Sequence, residues 1–137
     1  MERKRGQIST EYLILVGFIV FIVISMVGFA TLYSSSAREK IRFSNLASFA
    51  NAIISNAEDV YYAGEPSKVT IEPYMPSGIQ SVTILNNEIV FYVSASGGLN
   101  IVSYTSKVPL SGTLSPGEGL KRVQIIARTS YSEIVEG

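Results

Sequence analysis

The chain has 137 residues and a mass of 14.9 kDa, room for one ordinary domain. Eleven Lys plus Arg balance eleven Asp plus Glu, so no net positive charge is present to attract nucleic acid. Cys, His and Trp are absent, which excludes disulfides, thiolate chemistry, Cys/His metal sites and the imidazole proton shuttle. Hydrophobic residues make up 47% and charged residues 16% of the chain, and that imbalance is concentrated near the N-terminus.

The chain opens with a basic stretch, Arg3-Lys4-Arg5-Gly6, followed by Gln7-Ile8-Ser9-Thr10-Glu11. No side chain from 12 to 37 is charged, and nearly every residue from 12 to 33 is apolar. As a helix, residues 12–33 would be roughly 33 Å long, which matches a hydrocarbon core of about 30 Å. Tyr12 and Tyr33 stand at its two ends, where amphipathic rings favour the bilayer interface. The segment predicts a membrane-spanning helix. Positive-inside counting gives no orientation, because Arg3, Lys4 and Arg5 on one side are matched by Arg38, Lys40 and Arg42 on the other.

Three fates are open to such a segment. A secretory signal peptide could be cut near Ser35-Ser36-Ala37, although its apolar run is normally only about 7–15 residues. A single-pass anchor is never cut. Alternatively, cleavage falls before the apolar run and leaves the helix on the mature protein. The position of Glu11, five residues beyond Gly6 and against the start of the apolar run, favours the third.

With its basic leader ending in Gly6, Gln7 directly after it, and Glu11 ahead of a long apolar helix, the chain resembles the precursor of a type IV pilin with a class III signal peptide. More narrowly, Gln7-Ile8-Ser9-Thr10-Glu11-Tyr12 is similar to the Q-x-S-x-E-Y start of pilins from methanogenic archaea. The resemblance covers about the first 30 residues by motif and the rest by its helix-then-strands layout. It implies that a membrane prepilin peptidase reads Arg3, Lys4 and Arg5 and cuts between Gly6 and Gln7. It also implies an assembly ATPase and a platform membrane protein as partners, a membrane-held precursor oriented N-in and C-out, and a homopolymeric extracellular adhesion filament. Archaellins share the basic leader but generally lack the Glu in the fifth mature position, so Glu11 speaks for the pilus.

Physical chemistry gives Glu11 a role in that setting. A carboxylate carried to the bilayer centre costs about 2.5–3.5 kcal/mol on insertion scales. Cleavage after Gly6 would create an α-amine at Gln7, and in a filament this amine could pair with Glu11 of a neighbouring copy. Breaking one side of a buried pair costs about 3–5 kcal/mol, so Gln7 and Glu11 would act together as a register device. The plainer reading is an interfacial Glu that merely ends the membrane span.

Beyond Ala37 the helix becomes amphipathic. Phe43, Leu46, Phe49, Ala50, Ile53, Ala57, Val60 and Tyr61 recur at spacings of three and four, while Arg38, Lys40, Arg42, Asn45, Ser48, Asn56 and Asp59 fall largely off that stripe. Gly64 and Pro66 end it. With no internal proline from 7 to 65, the spacing predicts one helix of nearly 60 residues. Gly17 and Gly28 are its weak points and candidate helix-packing positions. Packing among neighbours would either unwind the helix locally at Gly28 or use the small residue for close approach.

The remainder reads as strands: 68–72; a hairpin of 79–85 and 88–95 turning at Asn86-Asn87; 99–105 after Gly97-Gly98; and 120–127 after Ser115-Pro116-Gly117. Ile89, Phe91 and Val93 share one face of the hairpin. The expected class is α+β, with a long N-terminal hydrophobic helix packed on a small antiparallel head, a four- or five-stranded meander. The expected divisions are a leader (1–6), a transmembrane or filament-core helix (7–36), its amphipathic continuation (37–64) and the head (65–137).

No site beyond the stem stands out. The eight tyrosines are scattered, no acidic spacing resembles a calcium loop, and no Ser has a His or other base beside it, so neither enzyme activity, cofactor nor metal is expected. No N-glycosylation sequon occurs, a departure from many archaeal surface filaments. The function expected is a structural pilus subunit. A membrane-anchored or tip-located binding ectodomain is the alternative.

Overall fold

The computed structural model describes the backbone from Arg3 and the side chains from Ser9 through Gly137. Helix α1 runs over Arg3–Ala63 and is followed by nine strands: β1 (Lys68–Ile71), β2 (Tyr74–Met75), β3 (Ile79–Leu85), β4 (Glu88–Ala95), β5 (Gly98–Thr105), β6 (Leu110–Thr113), β7 (Gly119–Leu120), β8 (Val123–Ala127) and β9 (Ser132–Glu136). The class is α+β, as the sequence predicts. Two compact units divide the chain, Met1–Glu39 and Lys40–Gly137.

In the second unit, α1 buries the stripe anticipated from its spacing. Leu46, Phe49, Ala50, Ile53, Ala57 and Val60 are buried, with Phe43 and Tyr61 packed at the margin and Ile54 added to the set. The opposing surface comes from Ile89, Phe91 and Val93 of β4, Val123 and Ile125 of β8, and Ile134 of β9. Phe49 meets Phe91 edge to face with ring centroids 6.1 Å apart, and Phe91 meets Tyr104 in the same way at 6.0 Å. The helix stops where a left-handed residue is tolerated: Gly64 adopts a φ of 77° and its N–H donates to the carbonyls of Val60 and Tyr61.

The β3–β4 hairpin turns at Asn86-Asn87 with Asn86 at a φ of 48°, the left-handed conformation that the turn requires. β5 continues it as an antiparallel meander of order β3-β4-β5. A single meander is where the expectation departs from the structure. The remaining strands form a four-stranded sheet of order β1-β8-β9-β6 and a two-stranded clip, β2-β7. In that second sheet β6 and β9 are parallel. Its strands are short, and β1–β8 and β6–β9 pair across long stretches of chain, so local alternation carries little of the pattern. Gly112 makes the parallel pair possible: at a φ of 138°, a Cβ there would strike the carbonyl oxygen of Ile134.

Candidate functional site

Among its described residues the first unit is a helical stem with no core. Its large apolar side chains range from 37% exposed at Val16 to 81% at Tyr33. It is one helix long and apolar enough to cross a membrane, and none of its apolar window is buried. Glu11 and Tyr12 lie exposed on it, and the backbone remains helical through Gly17 and Gly28, with open space around both glycines. The chain alone thus shows no unwinding at Gly28.

Four hydroxyls within the stem are turned to its own backbone. Ser25 Oγ donates to the Phe21 carbonyl at 2.8 Å, Thr31 Oγ1 to Gly28 at 2.8 Å, and Ser35 and Ser36 both donate to Leu32, at 2.9 and 3.4 Å. Hydroxyls satisfied in this way can enter a medium that offers no hydrogen bonds. Val27, Ala30, Thr31, Ser34, Ser35 and Arg38 line a shallow groove along one side of the stem. Small residues in such a row allow the close approach of another helix.

The side chains of Arg3, Lys4, Arg5, Gly6 and Gln7, to which leader recognition, cleavage and half of the register device were assigned, lie outside the described residues. Glu11 is described, and it makes no ion pair among the described residues.

The head carries polar groups that sequence reasoning placed on its surface or passed over. Arg42 Nη1 donates to the Ser94 carbonyl at 3.1 Å, close against Gly78, so it ties α1 to the end of β4. Glu58 accepts the backbone N–H of Lys107 at 3.0 Å. Ser132, fully buried, donates to the Ala57 carbonyl at 2.7 Å. Glu136 is gripped by the Ser115 hydroxyl and N–H, each at 2.6 Å, and by Lys121 Nζ at 3.0 Å. Burial pushes the Glu136 carboxyl up, but these hydrogen bonds and the Lys121 charge outweigh it and hold the pKa below the ordinary carboxylate range. Tyr74 donates to Glu118 at 2.9 Å, and that bond, with lesser help from desolvation and the Glu118 charge, raises the phenol. Only Arg42 and Glu58 lie on the helix, and of the two the spacing places Arg42 off the apolar stripe. Nothing in the sequence marks Ser132 or Ser115 as special among many serines.

No family model, characterised protein or solved structure matches this chain. The structure shows a long apolar N-terminal helix whose C-terminal part packs on a small β-sheet head, an arrangement compatible with a pilin-like fold.

The arrangement makes a physical demand. Leaving the seventeen large apolar side chains exposed among the described residues of the stem, at about 1 kcal/mol each, would cost more than the roughly 5–15 kcal/mol that stabilises a typical domain. The stem therefore needs lipid or other helices around it, while the head has its own core.

Proposed function

We propose that this chain is the structural subunit of an archaeal type IV pilus. In this reading it is made as a prepilin, cut between Gly6 and Gln7, held in the membrane by its stem, and polymerised through that stem into an extracellular adhesion filament. The observation that carries the reading is the unburied stem, apolar on every side, attached to a head that needs nothing from it. A helix apolar all round is stable in lipid and equally in a bundle of like helices, so it can pass from one to the other without meeting water. The Gly6-Gln7 junction and Glu11 support the same reading. The partners it calls for are a prepilin peptidase, an assembly ATPase and a platform membrane protein.

Fibres sheared from cells test it directly. The subunit in them should begin at Gln7. A mature start at Met1 or beyond Ala37, or a protein recovered only with membranes, overturns the reading, and the latter outcome would identify an anchored binding ectodomain. Glu11→Ala should be processed and inserted normally, yet yield at least about tenfold fewer fibres, because the Gln7 amine of a neighbouring copy would lose its partner. Normal yield would remove Glu11 from the register role.

A further inference from the structure

The open strand edges of the head are guarded, with one exception. β1 is four residues long and carries Lys68; β2 and β7 have two residues each. β3 is interrupted by a register shift between Ile79 and Ser81, and β6 is short, follows Pro109 and lies beside β3. Short length, charge, proline and bulges are the devices that keep sheet edges from pairing. β5 has none of them. All eight of its residues, Gly98–Thr105, are uncharged, none is proline, and its register with β4 is unbroken from end to end.

The direction of its free backbone groups can be derived. Ser106 N donates to the Asn87 carbonyl, which extends the β4–β5 register by one hydrogen-bonded pair. Ser94 N donates to Gly78, which fixes the same alternation from the β3 side of β4. Hydrogen-bonded pairs alternate along an antiparallel ladder. Residues 98, 100, 102 and 104 therefore bond to β4, and the N–H and C=O groups of Leu99, Ile101, Ser103 and Thr105 point away from the sheet. No other bond to these groups is found among the described residues. The side chains of Leu99 and Ile101 are 54% and 64% exposed on the outer face.

We infer that β5 is a pairing edge for β5 of a second copy of this chain, antiparallel and centred on Ile101. In that register Ile101 stands opposite its own counterpart and Leu99 opposite Ser103, and all of these residues have outward-facing backbone. Three such pairs exchange two bonds each, about six in total. The apolar side chains of the two copies would cover each other on one face, and no charge at any of the eight positions is set against a like charge. The occupant is a second copy because the strand complements itself. The contact is two-fold and closes after two chains, so in a filament it would join neighbouring fibres side by side and not lengthen one.

The chain has no cysteine, which allows a clean test on the full-length protein in excess detergent micelles. Cα atoms of a hydrogen-bonded pair lie about 5.5 Å apart, within disulfide reach. Under mild oxidation Ile101→Cys should give covalent dimer at least about tenfold above Thr113→Cys, an exposed control on β6. Ile101→Lys should lower the fraction of non-covalent dimer by about tenfold, since it sets like charges opposite each other. Leu99→Lys should act in the same direction, and unchanged tyrosine near-UV dichroism would show that both variants fold. Equal trapping at the two cysteines, no trapping at either, or a dimer indifferent to both lysines overturns the inference. None of these outcomes depends on fibre formation, so this pairing and the filament reading stand or fall separately.

Discussion

Residues 12–33 and residues 40–63 belong to the same helix, contain no proline and are both rich in apolar side chains, yet they meet opposite environments. Between 12 and 33 every direction is apolar and none is covered; between 40 and 63 the stripe from Phe43 to Tyr61 lies against the head, and of the large apolar side chains there only Ile41 and Tyr62 stay exposed. Apolar content alone thus does not say where a helix will be buried. Its angular distribution does. A stripe calls for a single partner surface, which this chain supplies itself, whereas an all-round apolar surface calls for a surrounding medium, which it does not.

The largest expected effect breaks that comparison at its sharpest point. Phe49 is fully buried against Phe91, while Phe21 is 68% exposed on the stem. Phe49→Ala should cost the head about 3–5 kcal/mol through lost transfer energy and the cavity left behind. Phe21→Ala should shift the unfolding of the head by no more than about 0.5 kcal/mol. Urea titration of the full chain in detergent, followed by tyrosine near-UV dichroism, would separate the two. Equal destabilisation would mean that the stem is part of the head's core, and the division into two kinds of surface would fail.

How much could be read beforehand follows the same division. The helix, its stripe and its stop at Gly64 were legible because periodicity of three and four over many turns is a long signal. The β3–β4 hairpin was legible from Asn86-Asn87 between alternating segments, and Ile89, Phe91 and Val93 all lie buried as their shared face implies. β6, read Leu-Ser-Gly-Thr, and β9, read Ser-Glu-Ile-Val-Glu, carry almost no alternation. Their parallel pairing depends on Gly112 allowing the Ile134 backbone close, which no local pattern announces. The stem's apolar character was plain in the sequence. The inward-turned hydroxyls of Ser25, Thr31, Ser35 and Ser36 needed the backbone to be in place, as did the buried Ser132.

A second, smaller effect concerns those hydroxyls. Ser132→Ala should destabilise the head by about 1 kcal/mol, because the bond to the Ala57 carbonyl is lost inside the core. Ser25→Ala removes a bond that the stem makes to its own helix, outside the head's core, and it should leave the head's unfolding midpoint unchanged. The same urea titration checks both. A silent Ser132→Ala would show that the buried hydroxyl is filler and not a tie between β9 and α1.

The smallest effect is acid lability, and it too should be confined to the head. Glu136 has its folded-state pKa held below the unfolded carboxylate value of about 4.3, so its grip by Ser115 and Lys121 contributes stability above that value. The contribution fades as the pH drops below about 4 toward the lower folded pKa. Solvent screening limits it to no more than about 1 kcal/mol. Glu136→Gln should therefore be slightly less stable than the native chain at pH 7 and lose less on going to pH 3, as measured by the urea midpoint. The stem has no charged side chain between 12 and 37, so its helicity, followed by far-UV dichroism, should be the same at both pH values. If helicity of the stem fell with the head's stability, acid would be acting on something the two regions share, and their independence would have to be given up.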